Sequence, residues 1–148
     1  MKKATKNRII TMFIILIFLG STAAFSLLNA FGSDQQNVAN WKARILIFTF
    51  GEQYLIPADI GVNNETKSKV YTLSTDGIIY KSVSEDVTLK DFFDVWGQTF
   101  NSTCILDYCN TNTSSMRMYI YRGENKVENS DYELYVINNN DVIIIDYR

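Results

Sequence analysis

The chain contains no histidine. That removes the side chain that most often serves as general base at neutral pH, the commonest zinc ligand, and the base of Ser-His and Cys-His nucleophile pairs. Cysteine occurs only at Cys104 and Cys109, and proline only at Pro57. Two sulfurs without an imidazole fall short of the four soft ligands of a histidine-free zinc site. Basic charge is scarce outside the first eight residues. Lys2, Lys3, Lys6 and Arg8 make that segment +4, while the 10 remaining Lys and Arg face all 16 acidic residues, from Asp34 onward. The rest of the chain is therefore -6 and the whole is -2. A net-acidic domain argues against nucleic-acid binding, which needs a basic footprint. No cofactor is expected, and the balance of these absences weighs against an enzyme.

Against this background, 148 residues suffice for one domain plus a targeting element. Residues 9–31 are 23 consecutive residues without a charge. As a helix they would extend roughly 34 Å, enough to cross a ~30 Å hydrocarbon core. The cationic segment before them predicts a cytoplasmic N-terminus and an extracytoplasmic C-terminus. The expected organisation is a tail and signal anchor over 1–31, held in lipid by 9–31, a polar linker over 32–41, and an extracytoplasmic domain over 42–148. A cleaved signal peptide is the rival reading, with Ser21 to Ala24, or Ala30, at the cleavage site. The sequons at Asn64, Asn101 and Asn112 suit an outside location.

Lys42 to Phe50, KARILIFTF, reads as a central strand with apolar side chains on both faces. Trp41 either caps it or sits at the headgroup level. Gly51-Glu52-Gln53 turns the chain into Tyr54-Leu55-Ile56, and Pro57 stops that strand. Asp76-Gly77 predicts a hairpin between 70–73 and 78–81. Leu89, Phe92, Phe93, Trp96 and Phe100 recur on one helical face. Thr88 stands at the N-cap with Asp91 three residues on, a variant of the capping box, and Gly97 closes the helix. Strands follow at 117–121, 132–137 and 142–147, the last two joined by Asn138 to Asp141 as a hairpin. The final run, VIIIDY, reads as buried on both faces.

The fold class expected is α+β: an N-terminal transmembrane helix, then a mixed sheet with one main covering helix. A hairpin, a helical crossover and further strands ending on a buried strand resemble the β-grasp (ubiquitin-like) architecture.

Few constellations suggest chemistry. Outside the cell Cys104 and Cys109 default to a disulfide. CILDYC is not a Cys-x-x-Cys redox motif, and no Lys, Arg or His lies between the two thiols to activate them. Met116 and Met118 share one strand face, as a core or interface pair or as soft copper(I) ligands. Glu85, Asp86, Asp91 and Asp94 cluster around the helix start, where the macrodipole favours acids; they lack the loop spacing of a calcium site. Tyr119, Tyr121, Tyr132, Tyr135 and Tyr147 gather in the C-terminal strands. Tyr119, Tyr121 and Tyr135 are the candidates for an interaction face, set against an ordinary half-exposed sheet.

Two stretches, Ile56-Pro57-Ala58-Asp59-Ile60-Gly61 and Thr88 to Gly97 continuing to Cys104, resemble a family of small archaeal extracytoplasmic domains with an N-terminal membrane segment. With Gly77-Ile78-Ile79 and the terminal VIIIDY, the resemblance covers most of 42–148. Relatives in that family carry Leu-His-Thr-His-Asp and Gly-Ile-Ile-His on the hairpin. Tyr71, Leu73 and Tyr80 stand here at the histidine positions, so any metal function of the relatives would be lost. The resemblance implies an accessory subunit, as of a membrane oxidase in ammonia-oxidising archaea. The function expected is a non-enzymatic anchored domain packing against other membrane protein subunits. The alternative is an extracytoplasmic ligand- or metal-binding module using sulfur and carboxylate ligands.

Overall fold

Alternation along Lys42–Thr49 (β1) builds the spine of the sheet. Ala43, Ile45 and Ile47 are buried on one face, while Leu46 and Phe48 are half-buried on the other. The computed structural model describes residues 40–148, which lie within one compact unit, Val38–Arg148. The expected anchor at 9–31 and nearly all of the linker at 32–41 fall outside the described residues. Among the described residues no helix is long and apolar enough to cross a membrane.

The described region is α+β, with one α-helix and a mixed seven-stranded sheet. The other strands are β2 (Glu52–Tyr54), β3 (Val70–Thr72), β4 (Ile78–Lys81), β7 (Met116–Arg122), β8 (Asn125–Glu128) and β9 (Val142–Tyr147). Between β4 and β7 come the helix α1 (Leu89–Trp96) and a separate two-stranded hairpin, β5 (Cys104–Ile105) with β6 (Tyr108–Cys109). The main sheet runs β3-β4-β1-β9-β7-β8, with β2 pairing the far end of β1. Strand β9 lies parallel to β1 and antiparallel to β7.

The expected hairpins form where the turn chemistry is local. Thr49 pairs with Glu52, so the first turn is only Phe50-Gly51, with φ of 53° and 85° at the two residues. Positive φ at both positions is the hairpin geometry whose twist matches the strands. The sequence reading puts this turn at Gly51-Glu52-Gln53 and the return strand at Tyr54-Leu55-Ile56, whereas β2 begins at Glu52 and ends at Tyr54, two residues earlier. In the second hairpin Tyr71 pairs with Tyr80. Gly77 there is indispensable: a Cβ on it would lie 2.2 Å from the Ile45 carbonyl oxygen.

Helix α1 forms as its caps predict. The Thr88 hydroxyl accepts from the Asp91 amide at 3.2 Å, and the Asp91 carboxylate accepts from the Thr88 amide at 2.8 Å. Gly97, at φ 73°, ends the helix in the left-handed conformation. Leu89, Phe92 and Phe93 are fully buried against the sheet, each contributing roughly 1.5–3 kcal/mol of burial. Phe100 lies beyond the helix yet stays buried, stacked on Phe93 at 4.5 Å. Trp41 caps the core, with the Lys81 ammonium 5.3 Å from its ring.

Two expectations need correction. Residues 132–137 are not a strand paired with β9. Tyr132–Leu134 is a 3-10 turn, and the following chain crosses to the helix start, where Val136 bridges Thr88 and the Ile137 amide donates to Val87. The partner of β9 is instead β7, and the partner of β7 is β8, a polar strand without a sequence signature. Nor is VIIIDY buried on both faces. Ile143, Ile145 and Tyr147 face the core, whereas Val142 and Ile144 are only half-buried. The reason is coverage: α1 and the 3-10 segment pack on one side of the sheet. Among the described residues no second layer lies on the other.

Candidate interaction face

The uncovered face of the sheet is the most distinctive surface of the described region. Cross-strand register assembles it row by row. Tyr121 stands beside Val142, Val142 beside Arg44, and Arg44 beside Ile78. In the next row Tyr119 neighbours Ile144 and Ile144 neighbours Leu46. Then Arg117 neighbours Asp146 and Asp146 neighbours Phe48. Because alternate residues share a face, Leu46, Phe48, Val142 and Ile144 form an aliphatic and aromatic centre, flanked by tyrosines.

The Lys126 ammonium sits 3.9 Å from the Tyr119 ring centroid and 5.7 Å from that of Tyr121. Arg148 donates from Nε to the Asp146 carboxylate at 2.9 Å. That contact pushes the guanidinium pKa up, through the hydrogen bond first and the charge second. A shallow open cavity of about 560 Å³ lies over this end, lined by Phe48, Phe50, Tyr119, Lys126, Ile144 and Arg148 among others. Phe50 projects beside it, 61% exposed in its left-handed turn position. Its ring meets Tyr108 and Tyr147 edge-on, at 5.5 and 5.4 Å.

The expected face is thus brought together only in part. Tyr119 and Tyr121 lie on it, joined by Tyr71 and Tyr80, which stack at 5.5 Å on the strands at the other edge. Tyr135 does not. It is buried on the helix side, where its hydroxyl donates to the Asp141 carboxylate at 2.7 Å and accepts from Arg122 at 3.0 Å. Asp141 also accepts from Arg122 Nε at 3.0 Å and from the Asn138 amide at 2.9 Å. Burial, then Asp141, push the Tyr135 phenol above its ordinary pKa. This clip fixes the turn into β9 and leaves Tyr135 no free polar tip. Tyr147 likewise faces inward, its hydroxyl donating to the Cys109 carbonyl at 2.6 Å.

The other singled-out residues take structural places. Cys104 and Cys109 form a disulfide across the small hairpin, where they are direct cross-strand partners. With both sulfurs joined, thiolate ligation is not open to them. Met116 and Met118 are buried in the core. Asp91 serves the capping box and pairs with Lys69. Its burial raises the carboxyl pKa, but the Lys69 and Thr88 donors outweigh that and hold it below the ordinary value. Asp94 pairs with Lys90 along the helix at 2.8 Å, and Glu85 and Asp86 are exposed. Among the described residues no three His, Cys, Asp or Glu side chains converge as a metal site. Leu73, at the remaining histidine position of the resembled family, is exposed. Asn64 and Asn112 are exposed, whereas Asn101 is half-buried, its side-chain oxygen accepting from Thr103 and Cys104 amides at 2.9 Å.

Compared with known proteins, the chain matches no family model, no curated protein sequence and no solved structure.

Proposed function

We propose that this chain is a non-enzymatic, single-pass membrane-anchored protein whose extracytoplasmic domain is an accessory or structural subunit of a membrane protein complex, docking through the open face of its sheet. The resemblance drawn from sequence extends the reading to an archaeal membrane oxidase. The single observation that carries it is the half-buried centre of that face: Leu46, Phe48, Val142 and Ile144, uncovered in the middle of the sheet. Aliphatic side chains at central strand positions ordinarily meet a second layer, and large exposed apolar patches mark contact sites. The anchor reading rests on the uncharged run at 9–31 and the cationic residues before it. A β-grasp-like architecture is supported by β9 lying parallel to β1 after a helical crossover and between β1 and β7.

The test is native electrophoresis of membranes extracted in mild detergent, with the full chain and its Ile144→Glu variant. The unsubstituted chain should migrate in a larger complex at fixed stoichiometry. The variant should migrate as free monomer while its Cys104–Cys109 disulfide still forms. An unsubstituted chain that is itself a monodisperse monomer refutes the proposal.

A further inference from the structure

Charge is divided unevenly between the two sides of the domain. Of the ten Lys and Arg from residue 40 onward, six reach the open face: Lys42, Arg44, Lys67, Arg117, Lys126 and Arg148. Only two of the fifteen acids stand at strand positions of that face, Glu128 and Asp146, and Asp76 in the turn before β4 lies near enough to Arg44 to feel its charge. An acidic domain thus presents a cationic rim around the uncovered apolar centre of its sheet. Arg148 is paired with Asp146, but none of Lys42, Arg44, Arg117 and Lys126 has a carboxylate within 4 Å among the described residues.

We infer that the partner of this face is a protein surface of complementary build: an aliphatic or aromatic centre bordered by Asp and Glu. This deepens the docking proposal above and rests on it. An apolar centre with a polar, charged rim is the anatomy of a protein interface, and Tyr and Arg are the residues enriched there. Four cations without carboxylate partners are steering charges, whose complement on the other side sets encounter rate and register. A lipid surface fits less well. Leu46, Val142 and Ile144 are half-buried among their cross-strand neighbours on a broad sheet face, so they do not offer the projecting apolar side by which an interfacial helix inserts below headgroups. A nucleic acid would meet the same cations but would be repelled by the acid-rich remainder of the domain.

The experiment is photo-crosslinking in native membranes of the full chain with Tyr121→p-benzoylphenylalanine, followed by mass spectrometry of the adduct. The result expected is a protein peptide carrying several Asp or Glu around apolar residues. Its yield should fall at least about fivefold between about 50 mM and about 500 mM NaCl, as screening shortens the reach of the rim charges. Adding Arg117→Glu with Lys126→Glu should lower it comparably at low salt. The salt arm needs no further substitution, so a folding defect in the charge-reversed chain cannot imitate the result. An adduct on a neutral or basic peptide, insensitive to salt, overturns this inference and leaves the docking proposal standing. An adduct on lipid or nucleic acid, or none at all, overturns both.

Discussion

Ile143 and Ile144 are chain neighbours in one strand, yet they point to opposite sides of the sheet, and the two sides differ in cover. Truncating each to alanine measures that difference directly. Ile143 is 0% exposed, so its removal loses the transfer term and leaves a cavity. Such substitutions cost about 2–5 kcal/mol, and a fully enclosed central position belongs near 3–4. Ile144 is only half-buried. Full burial of such a side chain is worth roughly 1.5–3 kcal/mol; half of that is already forgone, and water fills the space. Its truncation should therefore cost about 1 kcal/mol. In urea, with a slope of about 1.5 kcal/mol per M, Ile143→Ala should lower the unfolding midpoint of the Val38–Arg148 unit by about 2 M. Ile144→Ala should lower it by about 0.7 M. Equal shifts would refute the reasoning, because they would mean that both sides of the strand are enclosed.

Further predictions concern the backbone and the helix cap. Gly77 and Gly97 have nearly the same φ, 75° and 73°, but a Cβ on Gly97 meets nothing within 4 Å while one on Gly77 strikes the Ile45 carbonyl. Gly97→Ala should cost only the left-handed penalty, about 1 kcal/mol, and Gly77→Ala at least about 2 kcal/mol more, seen as a much larger drop in Tm. For Asp91 the folded carboxyl is held below its ordinary pKa, so its stabilising effect is present above the unfolded value and is lost as pH falls through the folded one. The stability gap between the unsubstituted chain and Asp91→Asn should therefore be full near neutral pH and shrink as the pH falls through the ordinary carboxylate range and on through the lower folded pKa. A gap that stays constant across that range would contradict the assignment.

What was legible in the sequence was what local chemistry determines. Alternation in KARILIFTF, the Asp76-Gly77 pair, and Thr88, Asp91 and Gly97 around α1 each determine their own few residues, and each appears as read. Strand β8, NKVE, was illegible because all four residues of this edge strand are exposed, which leaves no alternation to read. Residues 132–137 carry strand-forming side chains, yet Asn129 accepts from the Asp131 amide at 2.9 Å and Tyr132 takes a φ of 44°, turning the chain before a strand can start. The misplacement of Tyr135 follows from that, since its partners, Arg122 and Asp141, are assembled only by the tertiary fold. A run such as VIIIDY shows that both faces are apolar; it cannot show that only one of them finds cover. The open face with its cationic rim was half visible, in Tyr119 and Tyr121. Its other members come from β1, β3, β4, β8 and β9 and meet only through register.

The parallel pairing of β1 with β9 also sets an order of events. On the edge away from β2 and β4, residues 44–49 find their partner only in 142–147, nearly a hundred residues later in the chain. Closing so long a loop is slow, and contacts of this kind dominate folding time. Until that last strand has emerged, Leu46 and Phe48 lie along an open edge beside unpaired backbone, which is the geometry that invites pairing with another chain. The centre of the finished sheet is thus the last part of the domain to become safe during synthesis, and a truncation that removes β9 exposes the middle of the domain instead of trimming its margin.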